Sequence, residues 1–127
     1  MNLTPLEAHV FAYYLVNSAK DFSMVGRWFS PSYLAETFAD KMSVDVRPFG
    51  KKAQSAAVPA AKYYLEYMIA QGGFENKEQK FGGTMHQLDA AGFKAALDAL
   101  KAADPVLKAA EAGGEGYWEA KFAELTN

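Results

Sequence analysis

The sequence predicts a mainly α domain of the α+β class, in which helices frame one small β-hairpin. Three observations predict it. Apolar residues recur at helical spacing over most of the chain. Two glycine pairs, Gly72-Gly73 and Gly82-Gly83, bound two short runs, 74–81 and 84–88, that suit strands. Proline stands at helix starts, at Pro5 and Pro31, and punctuates the chain again at Pro59 and Pro105.

The first helix opens on Thr4, with Pro5 at its first position and Glu7 three residues after the cap, which makes a capping box. Leu6, Val10, Tyr13, Tyr14 and Asn17 follow at helical spacing, with Phe11 and Leu15 widening the apolar face. The pattern ends near 17–20, and 21–26 reads as a connection. Residues 27–29, Arg-Trp-Phe, suit a very short strand. Ser30 caps a second helix with Pro31 behind it; Leu34, Phe38 and Met42 share one face, Tyr33 and Thr37 flank it, and Glu36 and Asp40 point away. Pro48 and Gly50 break the helical pattern over 43–50.

Lys51 restarts it, and Pro59 interrupts it. An interior proline costs a helix about 3 kcal/mol. Either a new helix begins just before Pro59, leaving 51–58 as a separate short helix or loop, or one long helix kinks there; the break is the favoured reading. After Pro59, Ala61, Tyr64, Leu65 and Met68 form a stripe with Ile69 beside it, while Lys62, Glu66 and Gln71 face outward. Gly72 sits where a C-cap glycine belongs. In the hairpin, 74–81 is a polar edge strand turning at Gly82-Gly83, and Met85 and Leu88 are the apolar anchors of the return strand. Asp89 caps a helix over 90–103 with Phe93, Leu97 and Leu100 in a stripe. Asp104-Pro105 punctuates it, 106–112 continues as helix, and 117–125 is a last short helix carrying Trp118, Phe122 and Leu125.

At 127 residues, half of them apolar and including nine Phe, seven Tyr and two Trp, the chain can bury a core of its own. It divides into a first unit, 1–89, and a C-terminal helical extension, 90–127, that packs on it or forms a dimer interface. Cysteine is absent, which excludes disulfides and thiolate metal sites. Residues 1–7 lack a basic stretch followed by an apolar run, and no apolar segment is long enough to span a bilayer; neither signal peptide nor membrane span is expected, and a cytoplasmic protein is the default. The net charge is −2, which opposes strong non-specific nucleic-acid binding. Positive charge is concentrated over 41–62, where Lys41, Arg47, Lys51, Lys52 and Lys62 meet only Asp45; residues 90–127 hold four lysines against six acids.

The order is helix, short strand, helix, helix, hairpin, helix. It resembles the winged helix-turn-helix superfamily, with residues 30–39 as the second helix, 61–68 as the third, and 82–88 as the return strand of the β-hairpin wing. That resemblance covers about residues 4–88 and implies a small DNA-binding regulator, with C-terminal helices that serve dimerisation. Read in that frame, the DNA contacts are Arg47, Lys51, Lys52, Gln54 and Ser55, with Lys62 on the third helix and Lys77 and Lys80 on the wing; arginine and glutamine suit base edges, the lysines and Ser55 phosphate. The bland reading of the same residues is a solvated loop, helix start and charged edge strand.

An alternative is a winged-helix protein-interaction module without DNA binding, an adaptor or accessory subunit. The negative net charge, the proline break and two tyrosines off the buried stripe favour it. Tyr63, Tyr67, Trp118 and Phe122 would be the contacts to a protein partner or to a second copy. A third reading is an all-helical protein in which 74–88 is only a loop. His9 and His86 lie far apart and suit surface or half-buried positions rather than metal ligation. The carboxylate pairs Glu36/Asp40 and Glu115/Glu119 fall on solvent faces. No phosphate loop, nucleophile elbow or Ser-His-Asp arrangement is present, so neither catalysis nor a cofactor is expected.

Overall fold

The computed structural model describes residues 3–17, 28–78 and 84–127. Helix α1 (Pro5–Asn17) begins on the reciprocal capping box: the Thr4 amide donates to Glu7 Oε1 at 3.1 Å and the Glu7 amide to Thr4 Oγ1 at 3.2 Å. Strand β1 (Trp28–Phe29) precedes α2 (Pro31–Asp45), whose cap Ser30 accepts from the Tyr33 amide at 3.2 Å. The connection at 21–26, and Arg27 of the short strand, lie outside the described residues. Leu34, Phe38 and Met42 are the buried face of α2. The helix outlasts its apolar stripe and ends at Asp45; a 3-10 turn, Arg47–Phe49, follows.

Pro59 resolves into a break. Helix α3 (Lys51–Ser55) closes, Ala56 forms the corner, and α4 (Ala57–Ala70) starts with Pro59 as its third residue. There its missing N–H is one that the first turn would leave unbonded anyway; the Ala60 amide makes the first bond of the new helix, to the Ala56 carbonyl at 3.2 Å. Ala61, Tyr64, Leu65 and Met68 are all buried. The far end of α4 is a Schellman closure. Gly73 N–H donates to the Met68 carbonyl at 2.8 Å and Gly72 N–H to the Ile69 carbonyl at 3.3 Å, with Gly72 at φ +82°.

Strands β2 (Phe74–Glu78) and β3 (Thr84–Leu88) pair antiparallel, which overturns the all-helical reading. The Gly82-Gly83 turn lies outside the described residues. β1 adds to the other edge of β3, giving the order β1-β3-β2 with Phe29 opposite His86. The inward residues of β3 are His86 and Leu88, while Met85 is half-buried. That corrects the expected pair Met85/Leu88, because residues three apart on a strand point to opposite faces. Burial also lowers the His86 imidazole below its ordinary value of 6.5. The folded state therefore binds this proton less readily than the unfolded chain does. Stability from this group is full above about pH 6.5 and falls as the pH drops through that value. Urea melts between pH 7.5 and 5 are expected to show this decline, and His86→Gln is expected to flatten it.

Helices α5 (Ala90–Ala103), α6 (Pro105–Gly113) and α7 (Tyr117–Thr126) complete the chain. Asp104 caps α6 through Oδ1, which accepts from the Leu107 amide at 3.0 Å. Asp89 stands at the cap position of α5, but its side chain makes no capping bond, contrary to expectation. Gly92 lies against the Gly72 carbonyl so closely that a Cβ would collide with that backbone oxygen, so this approach of α5 to the turn after α4 requires a glycine. Phe93, Leu97 and Leu100 of α5 and Phe122 of α7 belong to the same buried cluster as Tyr14, Leu34 and Tyr64. Among the described residues, no helix is long and apolar enough to cross a membrane.

Candidate functional site

Helices α2 and α4 pack side by side, and their outer edges leave a groove of about 670 Å³. Its floor and walls are apolar. Pro31, Ala35 and Ala39, at i, i+4 and i+8, come from α2; Val58, Leu65 and Ile69 come from α4. Small alanines on one helix against branched side chains on the other keep the channel open. Val58, one of the lining residues, is 65% exposed. Ser32 adds a hydroxyl, and the charged groups are Glu36 and Asp40 from α2 with Lys62 and Glu66 from α4. Three carboxylates thus face one ammonium, all four residues are exposed, and among the described residues none is held in an ion pair with another of the set.

The expected DNA contacts divide between places. Arg47, Lys51, Lys52 and Ser55 stand exposed on the corner made by the 3-10 turn and α3. This corner packs on α7. Beside it, Glu119 joins Pro48, Phe49 and Phe122 in lining a depression. Gln54 is turned inward: its Nε2 donates to the Ser43 carbonyl and to Ser43 Oγ, both at 3.4 Å, and so ties α3 to α2. A side chain spent this way is not presented to base edges. Lys62 lies in the carboxylate-rich groove rather than on the basic corner. Lys77 falls on β2 opposite Met85, and Lys80 lies outside the described residues.

The expected protein contacts also change. Phe122 is 1% exposed and stacks on Phe49 at 4.2 Å, so it is sealed within this chain's own core and is not a partner contact. Trp118 is half-buried against Tyr13, with centroids 5.2 Å apart. Tyr63 and Tyr67 are half-buried too. They line a second cleft of about 500 Å³ between α1, α4 and the α5–α6 junction, and Tyr63 meets Phe11 edge to face. His9 is buried rather than superficial. Its Nδ1–H donates to the Pro5 carbonyl at 2.7 Å, which leaves Nε2 to accept from the Tyr117 hydroxyl at 3.0 Å. It is a joint between α1 and α7. Among the described residues, no group of three or more His, Asp or Glu is placed to hold a metal ion.

The groove residues Ala35, Ala39 and Val58 were not singled out by sequence reasoning. The available signal was their spacing: the alanines sit one turn apart beside the buried face of α2, and Val58 precedes the α4 stripe by one turn. Comparison with family models, with characterised proteins and with solved structures finds no match.

Proposed function

We propose that this chain is a winged-helix protein-interaction module, an adaptor or accessory subunit, that takes a partner along the α2–α4 groove and does not read duplex DNA. The element order α1-β1-α2-α3-α4-β2-β3, with β1 paired to the hairpin and the short α3 inserted between α2 and α4, supports the winged-helix frame. In that frame α4 is the helix that would enter a major groove. One observation carries the functional reading: the groove along α4 is walled by Val58, Leu65 and Ile69, and the charged groups around it are Glu36, Asp40 and Glu66 against Lys62 alone. Such a groove repels phosphate and offers buried apolar area to a protein.

The exposed corner of Arg47, Lys51 and Lys52 favours a second reading, duplex binding through α3 rather than α4. Fluorescence anisotropy with a labelled duplex separates the two. The interaction module is expected to give no saturable binding at about 50 mM salt. Binding whose log–log salt slope falls by about two units in Lys51→Ala/Lys52→Ala would establish the DNA reading instead.

A further inference from the structure

We infer that the occupant of the α2–α4 groove is a basic amphipathic helix of another protein, with two or three aliphatic anchors flanked by lysine or arginine. The inference rests on the interaction reading above and adds the chemistry of the partner.

The channel runs between two helices packed side by side, the geometry into which the side-chain ridge of a third helix fits. From Val58 to Ile69 the α4 wall is three turns long, about 16 Å at 1.5 Å per residue, enough for anchors at i, i+4 and i+7. Ala35 and Ala39 let the incoming backbone approach closely on the α2 side. The charge on the rim selects the partner's sign. Glu36, Asp40 and Glu66 are exposed and have no ion-pair partners among the described residues. An acidic helix would bring like charges together on docking, whereas a basic one supplies charge-assisted hydrogen bonds at the rim while its aliphatic residues fill the floor. Anionic lipid and nucleic acid meet the same repulsion.

The test uses three fluorescein-labelled helical peptides of about 14 residues. One carries leucines at i, i+4 and i+7 flanked by lysines; the second has each lysine replaced by glutamate; the third has each leucine replaced by serine. Anisotropy at fixed ionic strength is expected to give the lysine peptide a Kd of about 10–100 µM, at least about tenfold tighter than either comparator. Glu36→Lys/Asp40→Lys, at two exposed positions, is expected to reverse the preference toward the glutamate peptide. Val58→Lys, at a third exposed site, is expected to weaken the lysine peptide by about threefold or more. Equal binding of both charged peptides, no saturable binding up to about 1 mM, or a preference unchanged by the double substitution would overturn the inference. So would self-association that the double substitution abolishes, which would make a second copy the occupant. Preference of the native groove for the glutamate peptide would overturn the basic partner while leaving the interaction reading in place; duplex binding with the salt slope described above would remove that reading itself.

Discussion

Tyr64→Phe is expected to stabilise the protein by about 1 kcal/mol, while Tyr64→Ala is expected to cost about 4 kcal/mol. Both expectations come from the same side chain. Its ring is fully buried and meets Tyr14, Phe38 and Phe11 edge to face, with centroids 5.3, 5.2 and 5.9 Å away, and Phe93 at 6.3 Å. Those contacts join α1, α2, α4 and α5 at one point, so truncation leaves a cavity that four elements would have to move to fill. The hydroxyl is a separate matter. It is buried and makes no hydrogen bond among the described residues. Burial, with Tyr14 adding to it, also holds the phenol well above its ordinary titration range. An unsatisfied buried hydroxyl carries a desolvation penalty that phenylalanine does not, at almost the same ring volume. Urea denaturation of both variants at pH 7 measures the two effects. A loss of more than about 1 kcal/mol in Tyr64→Phe would mean that the hydroxyl is satisfied in solution.

Tyr64 was legible in the sequence as a core residue, and its place illustrates what periodicity can and cannot report. A stripe at 3.6-residue spacing identifies the buried face of one helix, and it did so for Leu34, Phe38 and Met42 and for Ala61 to Met68. Local backbone chemistry was equally readable: the Thr4–Glu7 box, the Ser30 cap, the first-turn position of Pro59 and the Gly72 closure each follow from residues within a few positions of one another. What stayed hidden depends on pairs distant in the chain. Gln54 looked available until Ser43 was seen beside it. Phe49 lay in a stretch that only broke a pattern, yet it is the stacking partner of Phe122, 73 positions away. The candidate groove belongs to the same category. Glu36 and Asp40 were correctly placed on the outer side of α2, but whether an outer side is plain solvent surface or one bank of a channel depends on which helix lies next to it. In β3 the sequence misled for a different reason. A histidine took an inward position, and a hydrophobicity pattern does not anticipate a buried polar residue.

Phe122→Ala is expected to cost about 3–4 kcal/mol and to act on α7 before it acts on the rest of the fold. Helix α7 has ten residues, too few to hold its shape in water without packing. Phe122 is its one fully buried side chain; it stacks on Phe49, meets Tyr13 at 5.9 Å and lies edge-on to His9 at 6.4 Å. Removing it leaves the Tyr117–His9 hydrogen bond and half-buried Trp118 as the main ties to α1. Amide exchange should therefore accelerate over α7 and the 3-10 turn Arg47–Phe49 at a lower free energy than over α4. Uniform acceleration throughout the chain would show instead that α7 unfolds only with the whole domain. The same variant separates scaffold from site. Phe122 does not line the α2–α4 groove, whose walls come from helices anchored by Tyr64, Leu34 and Phe38. At a temperature where Phe122→Ala remains folded, the lysine peptide should still bind it with native affinity. Lost affinity there would mean that the docked C-terminal helix sets the spacing of α2 and α4 through α1 and α3, the two elements that it touches and that also touch them.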